Sequence, residues 1–300
     1  MVRCIGRLVA ASVLIAGCAG PGGSPSTAPV TATNSAGAPA TTTAPPSLSP
    51  VASPVGDDWD LVWISDSTGS GGVPEAYARR IEADLGVRVR VHDAWTPLLS
   101  ARNVLEKLRG KDGGILGSAG SGRVDLPALL REAEVVVVHG NAEQSPTTGH
   151  PWDWNCSPYF EESPACGTNT ACGPETWEQY EADLRAIFDE IFRIREGRPV
   201  VLRTHDAYLP WGPVATWQAC DQLQICAACW GAWSDAIHRA AAARGVPVAG
   251  YYAAFSGTNG DQPLPSAWTI DDVHPSKAGA GELADVMADL GYETVAPTGN

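Results

Sequence analysis

The run Trp59-Asp60-Leu61-Val62-Trp63-Ile64 is short and mostly apolar, and Ser65-Asp66-Ser67-Thr68-Gly69 follows it with residues that favour turns. The first reads as a strand and the second as the turn that leaves it. Outward from there the pattern alternates. Pro74–Leu85 reads as a helix with proline in its first turn and Gly86 at its end. Val87–Val91 alternates Val with Arg, as a strand at an edge or with one wet face does. Leu98–Leu108 and Leu126–Glu132 read as helices, and Val135–Val138 as a strand buried on both faces. Pro174–Glu196 keeps its apolar residues close to a 3.6-residue period, and Gly197 closes it. Pro199–Arg203 is strand-like, Trp217–Arg244 largely helical, Val246–Gly250 strand-like, and Ser276–Leu290 a closing helix ended by Gly291. Alternating strands and helices predict an α/β chain: a flavodoxin-like three-layer α/β/α sandwich around a parallel sheet of about five strands.

In such a sheet, functional groups gather where the strands end. Those ends carry Ser65-Asp66-Ser67, then His139-Gly140-Asn141, then His205-Asp206, and the last helix is preceded by Asp271-Asp272-Val273-His274-Pro275. A hydroxyl, a carboxamide, and a carboxylate with an imidazole can therefore converge on one edge.

Together these blocks resemble the SGNH (GDSL-type) hydrolases. The family's first block, Gly-Asp-Ser, is matched by Ser65-Asp66-Ser67, its Gly-x-Asn-Asp block in part by Gly140-Asn141, and its Asp-x-x-His-Pro block fully by Asp271 to His274-Pro275. The resemblance spans residues 59–290 and implies a serine esterase without metal or cofactor. It makes Ser67 the nucleophile, His274 the base and Asp271 the residue that fixes the imidazole tautomer. Asn141 and the Ser67 backbone N–H would hold the oxyanion, with Gly140 supporting their loop. Three positions depart from the family. Ser65 replaces the first-block Gly, Ala142 stands where Asp is common, and no Gly occurs between Gly86 and Gly110 to supply the second-block donor. That donor would then be an ordinary backbone amide near Leu98–Ser100. Ser65-x-Ser67-x-Gly69 also comes close to the Gly-x-Ser-x-Gly elbow of α/β-hydrolases, but that elbow sits in mid-sheet, after several strands. An acyltransferase would use the same groups, and a binding protein could retain the fold without turnover.

Substrate contacts are expected from loops leaving the same edge: Trp152 and Trp154 in 150–173, His205 at its strand end, Trp211 in 207–220, and Trp268. The alternative for the tryptophans is packing within their own loops.

The remaining 56 residues at the start are a different material. Among 300 residues with 20 basic and 34 acidic side chains, residues 1–56 hold no Asp or Glu and only Arg3 and Arg7, yet 8 of the 24 prolines. Residues 57–300 therefore carry a formal charge of about -16, which argues against nucleic-acid binding and favours neutral over polyanionic substrates. Met1–Arg7 followed by a short apolar stretch has the layout of an export signal. Leu14-Ile15-Ala16-Gly17-Cys18 resembles a bacterial lipobox, which implies residues 1–18 as signal, lipid on Cys18, and a cell-surface lipoprotein. Cleavage after Ala19 would instead give a secreted protein. Residues 19–56, rich in Gly, Ser, Pro, Thr and Ala, are expected to form a disordered tether, leaving 57–300 as one domain, expected to be monomeric. Six cysteines remain after Cys4 and Cys18: Cys156, Cys166, Cys172, Cys220, Cys226 and Cys229. An even number in an exported domain suggests up to three disulfides.

Overall fold

The computed structural model describes residues 58–69, 71–95, 99–111, 125–141, 174–208, 223–271 and 273–297. Residues 1–57, which include the expected signal and tether, and the stretches 142–173 and 209–222 lie outside them.

In chain order the elements are β1 (Asp58–Ser65), a 3-10 turn (Ser67–Gly69), α1 (Val73–Leu85), β2 (Arg88–Trp95), α2 (Ala101–Leu108), α3 (Leu126–Glu132), β3 (Val135–Val138), α4 (Pro174–Ile194), β4 (Val201–His205), α5 (Leu223–Ala242), β5 (Val248–Ala249), α6 (Tyr251–Ser256) and α7 (Lys277–Ala288). The five strands form one parallel sheet in the order β2-β1-β3-β4-β5. Strand periodicity splits the core into two faces. Val62, Ile64, Val136, Val138 and Leu202 pack with α2, α4 and α5, while Leu61, Trp63, Val135, Val137 and Val201 pack with α1 and α7. The result is the three-layer sandwich expected from the alternation.

β2 is an edge strand, and its Arg88 and Arg90 pair with Asp58 and Asp60 of β1. Charges on an edge discourage pairing with another chain. β2 continues to Trp95, four residues beyond the expected end. α2 begins at Ala101 rather than Leu98, because the Ser100 hydroxyl accepts the Asn103 N–H and caps the helix there. β4 lies two residues later than expected. α6 was not expected. Its cap is the Asp206 carboxylate, which accepts the Tyr252 N–H from 46 residues away, and no local signal records such a bond. Among the described residues, no helix is long and apolar enough to cross a membrane.

The chain starts in β1, steps out to β2, then returns across β1 to β3 and onward. Strand order therefore reverses at the β1/β3 junction, which opens a crevice at the carboxyl ends of those strands. Ser67 follows β1 and Asn141 follows β3, one on each side of it.

Candidate active site

The turn after β1 is built on a buried hydroxyl. Ser65 accepts the Trp63 indole N–H at 3.0 Å and donates to the Asp66 carbonyl at 3.1 Å. A Cβ on Gly69 would lie 2.1 Å from that hydroxyl oxygen. Ser65 thus fills the space that Gly69 leaves, and its φ is not positive, so this turn does not require glycine at residue 65.

Asp66 is 2% exposed, and its carboxylate accepts the Asn141 side-chain N–H at 2.7 Å. One of the two amide hydrogens of Asn141 is thereby fixed. The Asn141 backbone is held as well: its N–H donates to Leu99 O at 2.7 Å, and its carbonyl accepts the Ala101 N–H at 2.9 Å. In this parallel bridge, Ser100 opposes Asn141, so the Ser100 N–H points away from Asn141. Gly140 makes the approach possible. A Cβ there would sit 2.5 Å from Ala101 Cα and 2.7 Å from Ala101 N, and the Gly140 carbonyl accepts the Tyr180 hydroxyl at 2.8 Å.

The loop before α7 forms a tight unit. The Asp271 carboxylate receives the backbone N–H groups of His274 at 2.7 Å and Val273 at 3.1 Å, and its second oxygen meets His274 Nδ1 at 2.6 Å. Partial burial works to raise the Asp271 pKa, but these donors outweigh it and hold the carboxyl below its ordinary value. With Nδ1–H on the carboxylate, Nε2 carries the lone pair that faces away from Asp271.

One contact joins this loop to the first, and another joins it to the segment after β4. Gly71, at φ +68°, lies where a Cβ would come within 2.8 Å of the Pro275 carbonyl. Tyr208 is buried and donates its hydroxyl to the Val273 carbonyl. Its pKa is pushed well above the ordinary value, first by burial and then by the negative charges of Asp66 and Asp271. Both carboxylates therefore act on one buried ring. Tyr208 had no sequence signal beyond its place in a predicted loop.

No protein-family model matches the sequence, and no curated protein matches it at a significant level. The fold does match solved structures. A lipase from a goat rumen metagenome superposes with a TM-score of 0.54 at 15% identity, covering 78% of this chain and 98% of that one.

The chain shares the fold of this lipase.

A lipase/acylhydrolase from Enterococcus faecalis aligns at TM-score 0.47 and 15% identity over 78% of this chain and 95% of its own. A GDSL-like lipase from Parabacteroides merdae aligns at 0.47 and 11% over 77% and 94%.

Within this fold, the other expected contacts divide. His205 is not a surface group: it is 1% exposed, stacked between His139 at 4.3 Å and Tyr251 at 4.5 Å. The expectation that it touches substrate is therefore corrected. The Nδ1–H of His139 donates to the His205 carbonyl and that of His205 to the Asp206 carbonyl, so both rings support the strand ends. Burial, then the neighbouring His139, depresses the His205 pKa well below 6.5. Trp268 is half-buried, its ring 4.7 Å from Phe255 of α6, and its carbonyl accepts the Ser276 N–H. Trp152, Trp154, Trp211, Cys18, Cys156, Cys166, Cys172 and Cys220 lie outside the described residues. Cys226 and Cys229 fall in α5, but their side chains are outside the description. Among the described residues, no group of three or more His, Cys, Asp or Glu is placed to hold a metal ion.

Proposed function

We propose that this protein hydrolyses carboxylic esters through an acyl-enzyme on Ser67. The observation that carries the reading is the 2.6 Å contact between Asp271 and His274 Nδ1, on a loop whose Pro275 packs against Gly71 of the Ser67 turn. His274 Nε2 takes the Ser67 hydroxyl proton as the oxygen attacks the ester carbonyl carbon. Asp271 keeps Nδ1 protonated and steadies the imidazolium that forms. The oxyanion receives the second amide hydrogen of Asn141 and the Ser67 N–H, and the Ser100 N–H is the third donor that the missing second-block glycine left open. One such donor contributes about 3–4 kcal/mol to lowering the barrier. Collapse breaks the ester C–O bond, and the alcohol leaves with the proton from His274. Water then attacks the acyl carbon, His274 takes its proton, and the acid departs as Ser67 recovers its hydrogen.

Ile270, 73% exposed, donates its N–H to the His274 carbonyl and gives the catalytic loop an apolar lip. This supports esters with an apolar acyl or alcohol portion. The domain's charge of about -16 favours neutral ones. Export, with Cys18 as lipid anchor, is part of the same proposal and rests on the sequence of residues 1–18.

The test is hydrolysis of acetyl, butyryl, octanoyl and aromatic esters by wild type, Ser67→Ala and His274→Ala. Turnover of at least one ester that both substitutions abolish is expected. A flat response across the panel in wild type would sink the hydrolase reading in favour of transfer or binding.

A further inference from the structure

A cleft of about 350 Å³ opens between the end of α2, the helix α3 and the end of α4. These helices lead into the amino ends of β3 and β4, so the cleft lies on the opposite edge of the sheet from Ser67. Arg109, Arg131 and Arg193 line it, with Glu196 as the single acidic side chain.

Two of these arginines are unusual in this chain. Acids outnumber bases 34 to 20, and the arginines at 80, 88, 90, 102, 185, 193, 198, 239 and 244 each pair with a carboxylate. Arg195 and Arg203 instead bind backbone carbonyls. Among the described residues, only Arg79, Arg109 and Arg131 have neither kind of side-chain partner, and two of those three share this cleft. Asp183 feels the charge of Arg109, but its ion pair is with Arg102. The local carbonyls do not need them either. Arg195 binds Leu130 O and Ala133 O, both at 2.6 Å, and Arg198 binds Arg131 O at 2.8 Å.

Glu196 adds a second feature. It is the one non-glycine described residue at positive φ, 56°, a conformation that L side chains disfavour and that clusters at functional positions. It closes α4 where glycine would fit best, and it brings a carboxylate to the rim of an otherwise cationic cleft.

We infer that this cleft binds the phosphate monoester of a polyol or sugar. Guanidinium forks match phosphate oxygens bidentately, Arg109 and Arg131 have no carboxylate partner of their own while Arg193 is held by Glu190, and Glu196 can accept a neighbouring hydroxyl. The inference does not depend on the hydrolase reading.

Isothermal titration of the full chain at low ionic strength tests it, with glycerol 2-phosphate and inorganic phosphate as probes. Saturable 1:1 binding of glycerol 2-phosphate is expected. It should weaken at least tenfold in Arg109→Gln/Arg131→Gln and remain unchanged in Arg79→Gln and in Ser67→Ala. Glu196→Gln should narrow the preference for the ester over inorganic phosphate. The double substitution lies on the exposed surface, so its thermal melt should match wild type and ester hydrolysis should be unaffected. Absence of saturable binding, equal binding by the double variant, or equal loss in Arg79→Gln would each overturn the assignment. Binding of inorganic phosphate as tight as that of the ester would overturn the polyol part.

Discussion

Asp66 is expected to act through Asn141, and a double-mutant cycle measures that. The buried carboxylate holds the carboxamide at 2.7 Å, an acceptor-charged hydrogen bond of the kind worth about 1.5–3 kcal/mol. Asp66→Ala releases the amide to rotate, so kcat should fall by roughly 10- to 150-fold while KM changes little. Asn141→Ala removes the donor itself and should cost about 100- to 1,000-fold. If Asp66 works only by positioning Asn141, the double variant should be no slower than Asn141→Ala, giving a coupling equal to the whole Asp66 effect. The assay is kcat and KM on a p-nitrophenyl ester of short acyl chain, with thermal melts to show that each variant is folded. Losses that multiply in the double variant would refute the reasoning, because Asp66 would then act on the reaction by a separate route.

Other expectations concern packing, protonation and specificity. Gly140→Ala puts a methyl 2.5 Å from backbone at Ala101. It should cost about 1–3 kcal/mol in urea denaturation and lower kcat by shifting Asn141, and unchanged values for both would contradict the close approach. His205 and His238 should give opposite pH dependence. Burial depresses His205 in the folded state, so its stabilisation is present above about pH 6.5 and is lost as pH falls through the folded value. The hydrogen bond to Asp206 is the main cause that raises His238, so its contribution is present below about pH 6.5 and is lost as pH rises through the raised value. Melting at pH 5.5 and 7.5 should show a smaller acid loss in His205→Phe and a larger one in His238→Gln, and unchanged slopes would count against both. Ile270→Ser should leave stability within about 0.5 kcal/mol yet reduce kcat/KM for octanoyl esters about 5–10-fold more than for acetyl, from the partial loss of a buried side chain's worth. Equal losses would show that Ile270 does not touch the acyl chain.

The strands buried on both faces were the most legible part of the sequence, because β1 and β3 carry their signal in their own composition: Leu61 to Ile64 and Val135 to Val138 are all buried. The edge strand was recognised from its Val/Arg alternation, but its end was not, since His92 and Asp93 break the apolar pattern while Ser65 still pairs with Trp95. Leu98 fits the helical period of α2, yet the capping hydroxyl of Ser100 decides where the helix starts. At the candidate site, Asp271 and His274 were legible because they lie three positions apart and one loop holds both. The Asp66–Asn141 bond spans 75 residues and the Tyr208–Val273 bond spans 65, so neither leaves a local trace. His205 misled for the same reason. Its place at a strand end suggested a site, and only the packing of His139 and Tyr251 on its two faces shows that it belongs to the core.

The central claim is that Ser67 is an activated nucleophile. Treatment of the full chain with a fluorophosphonate, followed by peptide mass spectrometry, tests it most directly. The account predicts one adduct per chain on the peptide containing Ser67, absent in Ser67→Ala and formed at least 1,000-fold more slowly in His274→Ala. No adduct on wild type, or an adduct on another serine, would contradict it.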